Sequence, residues 1–292
     1  MEKKFIDIGK EKLAYLDIGA GKEVMVLVHG NMSSGIHYKP LIERFKGEYR
    51  IICPDMRGFG DSTYNNEYDD LEELADDLLV LLDKLEIKEY YLGGWSTGGA
   101  VALKMAAKRP MEVKKLILIE SCSYKGYPIF KKDDKGQPIL GAYYTAKEEL
   151  ANDPVQVAPM DGIFKTKATA YMKAVWDQVI YTVNKPTKEE DDLYLEETMK
   201  ERCIVDVDWA LTRFNMSNEF NGVTNGDGTI KDVVCPVITF WGDTDYVVLE
   251  YMIDETVAAL KDVKKVVLEK SGHSPLLDVP DVLAKEIKDF IK

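Results

Sequence analysis

Histidine is scarce in this chain: its 292 residues include only His29, His37 and His273. Any imidazole chemistry must come from that short list. The four cysteines, Cys53, Cys122, Cys203 and Cys235, are scattered without C-x-x-C spacing. With three separated histidines they form no zinc-ligand pattern, so no metal and no organic cofactor is expected. Long basic runs are also missing. Acidic residues outnumber basic ones 51 to 38, for a formal charge of -13. A nucleic-acid partner needs clustered Lys and Arg against its phosphates and is excluded on that ground. The acidity reads instead as a solvated surface. No apolar stretch approaches the roughly 18 residues of a membrane span. The segment from Met1 to Phe5 has no apolar signal-like core, so the expectation is a cytoplasmic protein with free, buried thiols.

What is present is ordinary globular composition, 46% hydrophobic and 30% charged, in a chain long enough for a large core. Lys3 to Ile8 and Lys12 to Ile18 alternate around Gly9-Lys10-Glu11, which predicts a hairpin. The pattern then changes to continuous apolar runs, as expected of strands buried on both faces. These are Val24–Val28, Arg50–Cys53, Glu89–Leu92, Lys115–Ile119, Val237–Phe240 and Lys264–Leu268. Helical patterns separate them. Leu71, Leu74, Ala75, Leu78, Leu79, Leu82 and Leu85 form one stripe, and Ala100–Ala107, Leu249–Leu260 and Asp281–Ile291 follow as further helices. The alternation predicts an α/β fold, a mostly parallel sheet of about eight strands with helices on both faces. Between Ser121 and Asp232 the buried-strand rhythm stops. Helical candidates fall at Lys147–Leu150, Ala168–Ile180, Lys188–Arg202 and Asp208–Ser217. The expected organisation is a core of residues 1–120 and 233–292 with a helical insertion over 121–232.

The strongest chemical signal is Leu92-Gly93-Gly94-Trp95-Ser96-Thr97-Gly98-Gly99, between an apolar strand and a helix. Glycines two positions either side of Ser96 permit a tight strand-to-helix turn that lifts its hydroxyl above the sheet edge. A serine hydroxyl is a weak nucleophile and needs a base. His273, in a loop after the last predicted strand, is the candidate. His29, ending the third strand, is expected to brace a loop, and His37, at a helix start, is expected on the surface. The base needs an orienting carboxylate. Asp245 is preferred because it lies further into the loop after Val237–Phe240 than Asp243, which follows Gly242 and suits the turn itself; Glu120 is the third candidate. Thr97 N–H is expected as one oxyanion donor and Asn31 N–H as the other. The Asn31 side chain either adds a third donor or forms an Asx turn.

These residues resemble the α/β-hydrolase superfamily, in the branch of carboxylesterases, lactonases and C–C hydrolases. The resemblance rests on His29-Gly30-Asn31, the run Asp55-Met56-Arg57-Gly58-Phe59-Gly60-Asp61-Ser62, Gly94-Trp95-Ser96-Thr97-Gly98, Trp241-Gly242-Asp243-Thr244-Asp245 and Gly272-His273. It implies that the insertion forms a helical cap over the site. Haloalkane dehalogenases and epoxide hydrolases of the superfamily carry aspartate at the position of Ser96, so serine here implies acyl chemistry. The Asp55–Ser62 run is expected to lock a loop rather than touch substrate.

The expected activity is hydrolysis of a small or medium carboxylic ester through an acyl-enzyme on Ser96. A lactonase, a C–C bond hydrolase, a hydrolase of hydroxyalkanoate oligomers and a non-hydrolytic binding member would share the same residues. Trp95, Trp176, Tyr144 and Phe164 are the expected substrate-binding residues. They are drawn from the neighbour of Ser96 and from an aromatic- and Met-rich insertion that also holds Tyr143, Met172, Tyr181, Trp209, Phe214 and Met216. The expected partner is a small-molecule ester, with no membrane and no nucleic acid; a homodimer stays open.

Overall fold

A computed structural model describes all residues, 1–292. Ten strands occur in chain order: β1 (Lys4–Asp7), β2 (Lys12–Ile18), β3 (Glu23–Val28), β4 (Tyr49–Pro54), β5 (Tyr90–Trp95), β6 (Val113–Ile119), β7 (Phe130–Lys132), β8 (Pro138–Tyr143), β9 (Val237–Gly242) and β10 (Val263–Leu268). Eight of them form one sheet in the order β1-β2-β4-β3-β5-β6-β9-β10. β1 and β2 pair antiparallel, as does β2 with β4; every other pairing is parallel. The fold is α/β, as the alternating strand and helix patterns require.

The strand order reverses at β3. The chain steps from β3 to β4 on one side, then returns to place β5 on the other, with Val28 opposite Gly94. The loops leaving β3 and β5 therefore diverge from neighbouring strand ends, and that crevice is where α/β sheets bind ligands.

The helices follow from their apolar stripes: α1 (Lys39–Phe45), α2 (Leu71–Lys84), α3 (Thr97–Lys108), α4 (Lys147–Leu150), α5 (Val157–Thr166), α6 (Thr169–Val179), α7 (Lys188–Thr198), α8 (Ile204–Arg213), α9 (Glu250–Ala259), α10 (Pro275–Asp278) and α11 (Pro280–Ile291). In α2 the buried side chains include Leu71, Leu74, Leu78, Leu81 and Leu82, spaced by threes and fours apart from the last pair. Each such leucine contributes roughly 1.5–3 kcal/mol of burial energy. α3 is buried along almost its whole length, which places it beneath the centre of the molecule. All four cysteines are buried and unbridged. No helix is long and apolar enough to cross a membrane.

Between β6 and β9 the chain departs from the purely helical expectation. β7 and β8 form a two-stranded antiparallel hairpin. None of its residues is buried, so no alternation of buried and exposed positions marked it; Asp133 closes the turn by accepting from Lys135 N–H and Gln137 N–H. α8 begins four residues earlier than the spacing predicts and ends at Arg213. Asn215 explains the end, because its side-chain oxygen accepts from Ser217 N–H and competes with helix continuation. α7 stops at Thr198 rather than Arg202, where the Arg202 N–H turns away to donate to Gly58 O.

The inserted segment is tied to the sheet by Lys3. Its ammonium contacts the carboxylates of Asp55, Asp61 and Glu197, the last on α7. Asp55 also accepts from Gly35 N–H and Asp61 N–H, and Arg57 donates to Asp77. The Asp55–Ser62 run is thus occupied with holding loops together.

Candidate active site

Ser96 joins β5 directly to α3 and has φ 55° and ψ -122°, a left-handed conformation that a side chain adopts only under constraint. The packing supplies the constraint. A Cβ on Gly98 would lie 2.2 Å from Val28 O and 2.4 Å from His29 O, so only glycine lets α3 start this close to β3. The turn projects the Ser96 hydroxyl away from the sheet and sets it at the N-terminus of α3.

His273 comes from the loop between β10 and α10. Its Nε2 is 3.0 Å from Ser96 Oγ and its Nδ1 is 2.8 Å from Asp245 Oδ2. Trp95 Nε1–H donates to His273 O at 2.8 Å, which fixes the histidine backbone beside the serine loop. Asp245 is held in turn by Val247 N–H and Val248 N–H, both on its Oδ1. Burial pushes the Asp245 carboxyl upward, but the adjacent His273, then Glu120 and the Val247 N–H, outweigh it and hold the group below its ordinary value. Asp243 is exposed, and its side chain accepts from Ser271 N–H. Glu120, at the end of β6, is fully buried, and neither of its oxygens makes a well-formed hydrogen bond. Burial first, and the Asp245 charge second, push Glu120 well above the usual carboxylate range.

The other two histidines are both buried. His29 Nδ1–H donates to Gly30 O at 2.8 Å and its Nε2 accepts from Met56 N–H at 3.0 Å, a bracing role for the loop after β3. His37 is not on the surface. Its ring stacks on Tyr194 at 4.9 Å, and its Nδ1 accepts from Ser34 N–H. Burial lowers the two rings to about 3 and about 4, so both are neutral at physiological pH.

Ser96 and His273 open onto a cavity of about 480 Å³ between the sheet's carboxyl edge and the inserted segment. Fifteen of its 22 lining residues are hydrophobic, which suits an apolar ligand. Asn31 and Thr97 line it beside Ser96. The Asn31 N–H makes no hydrogen bond within the protein, and Thr97, first in α3, has no intrahelical acceptor for its N–H. The Asn31 side chain bonds within the protein at both ends: its oxygen accepts from Met32 N–H and its Nδ2 donates to Asp208.

A family model described as the alpha/beta hydrolase fold matches residues 23–280. The chain belongs to this α/β-hydrolase family. It is 23% identical over 283 residues to Lipase 1 of Psychrobacter immobilis, covering 96% of this chain and 80% of the lipase. Among solved structures, it is similar to Cfl2 of Burkholderia cenocepacia, with a TM-score of 0.77 at 22% identity over 99% of this chain and 95% of that one. The esterase EaEST of Exiguobacterium antarcticum matches with a TM-score of 0.76 at 19% identity, over 99% of both chains.

In this α/β-hydrolase the expected substrate-binding residues divide. Trp95 and Trp176 line the cavity. Tyr144 does not: it is buried in a small separate cluster with Leu150 and Trp209, and its hydroxyl donates to Asp153 at 2.8 Å. Phe164 also faces the core instead, while Met160 and Ile163 of the same helix reach the cavity. The cavity residues missed by sequence reasoning include Gln156, Asp208, Leu211 and Tyr246. Asp208 and Leu211, three apart on α8, share a face, a spacing visible in the sequence once the helix start is known.

Proposed function

We propose that this protein is a serine hydrolase that cleaves small or medium carboxylic esters through an acyl-enzyme on Ser96. The observation that carries the reading is the continuous relay from Ser96 Oγ to His273 Nε2 at 3.0 Å and from His273 Nδ1 to Asp245 Oδ2 at 2.8 Å, facing an apolar cavity. The similarity to a lipase and an esterase supports it.

The sequence of events follows from the geometry. Asp245 holds the His273 ring with Nδ1 protonated, which leaves Nε2 as the base toward the Ser96 hydroxyl. Ser96 attacks the ester carbonyl as its proton moves to Nε2. The oxyanion is received by the N–H groups of Asn31 and Thr97 at the positive end of α3. His273 then gives the proton to the leaving alcohol, and water attacks the acyl-enzyme by the reverse transfers. Residues 121–232 act as a cap that excludes bulk water from this exchange.

Labelling with a fluorophosphonate, followed by peptide mapping, tests the assignment. Modification confined to Ser96, absent in Ser96→Ala and strongly reduced in His273→Ala, is the expected result. Modification of another residue, or none in a folded sample, overturns it.

A further inference from the structure

The cavity is predominantly apolar, yet one carboxylate on α8 faces it. Asp208 is 3% exposed and lines the cavity opposite the loop after β3. Its Oδ1 is 3.1 Å from Asn31 Nδ2, and that is the sole hydrogen bond its side chain makes within the protein. Its Oδ2 accepts no hydrogen bond from the protein, which leaves it as the free oxygen of a residue that lines the cavity. Burial, with Asp153 adding to it, raises this carboxyl to about 7 despite the Asn31 bond. A carboxylate oxygen without a partner is disfavoured in such apolar surroundings unless something supplies it with a proton or a donor. Leu211, on the same face of α8, lines the cavity beside it with an apolar side chain.

Resting on the esterase reading, we infer that Asp208 Oδ2 is a specificity site that accepts a hydrogen bond from a substrate hydroxyl a few bonds from the scissile carbonyl. The distance is set by Asn31: its backbone N–H serves the oxyanion while its side chain touches Asp208. A substrate seated on that N–H brings atoms of its acyl or alcohol part, a short way from the carbonyl, alongside Asp208. A site built to hydrogen-bond a hydroxyl discriminates strongly against analogues that cannot donate, because the buried acceptor is then left unpaired. The rest of the cavity binds the hydrocarbon portion. The preferred substrate class is therefore an ester bearing a hydroxyl near the carbonyl.

Two matched pairs test this at pH 8: p-nitrophenyl 3-hydroxybutyrate against its 3-methoxy analogue, and 2-hydroxyethyl butyrate against 2-methoxyethyl butyrate. The methoxy group accepts but cannot donate. The wild-type protein is expected to favour the hydroxyl member of at least one pair by about tenfold or more in kcat/KM. Asp208→Asn keeps an oxygen for Asn31 but turns an NH2 toward the cavity, and Asp208→Leu removes both. In each variant the ratio is expected to fall to within about threefold of unity; ratios cancel any common loss from disturbing Asn31. Equal ratios in wild type and variants, or no discrimination in either pair, overturn the inference. Calorimetric binding of 3-hydroxybutanamide against 3-methoxybutanamide to Ser96→Ala reads the same preference without turnover. Failure of the esterase reading, seen as loss of Ser96 labelling, is therefore separable from failure of this one.

Discussion

Asp245 Oδ2 lies 2.8 Å from His273 Nδ1, whereas Asp243, two residues earlier in the same loop, is exposed and accepts from Ser271 N–H. The difference arises because Asp245 is turned inward by the Val247 and Val248 N–H groups on its other oxygen. Asp245→Asn is expected to lower kcat by about 10⁴-fold by presenting the wrong imidazole tautomer. Asp243→Asn is expected to change it less than about tenfold. Steady-state hydrolysis of p-nitrophenyl butyrate by both variants checks the pair, and equal losses would reverse the assignment.

Glu120 beside Asp245 makes a pH-dependent contribution of opposite sign. Its folded-state pKa is raised, so the favourable term is complete below the unfolded value near 4.5 and is lost as pH rises toward the folded value. Glu120→Gln removes that titration. The difference in melting temperature, variant minus wild type, is expected to be more positive at pH 8 than at pH 5. A difference independent of pH would show that the carboxyl is not held neutral.

Lys3 contacts Asp55, Asp61 and Glu197; Lys200 also pairs with Asp61 and Glu197, so Asp55 alone depends on Lys3 for a cation. Asp55 is fully buried and Glu197 nearly so. Removing the ammonium leaves the buried Asp55 without a cation, while Lys200 still faces Asp61 and Glu197, and breaking a buried pair in this way costs about 3–5 kcal/mol. Lys3→Ala is expected to lower the urea midpoint accordingly, and Lys3→Ala combined with Asp55→Asn to recover part of it. A loss below about 1 kcal/mol would identify the cluster as a solvated surface network.

Gly98 sits where β3 and α3 touch. Gly98→Ala places a methyl within 2.4 Å of two backbone oxygens, and backbone cannot rotate aside. A destabilisation of at least about 2 kcal/mol, together with lost fluorophosphonate labelling, is expected. Chemical unfolding with labelling of the same samples measures both, and unchanged labelling would mean that the turn tolerates the displacement.

The chain's local patterns determined a great deal. β-branched apolar runs marked the sheet strands because a parallel strand is buried on both faces, and Gly94 to Gly98 marked the turn because only glycine tolerates such close backbone contact. The scarcity of histidine left three candidates for a base, of which His273 follows the last sheet strand. The β7–β8 hairpin, which buries no residue, carried no such signal, and a buried aromatic looks the same in sequence whether it meets a cavity or a neighbouring helix. Only the tertiary structure turned Tyr144 and Phe164 away from the cavity and turned Asp208 toward it. Periodicity records which face of a helix leaves water, but what that face meets depends on the angle at which the inserted helices settle on the sheet, and that is decided by contacts between residues far apart in the chain.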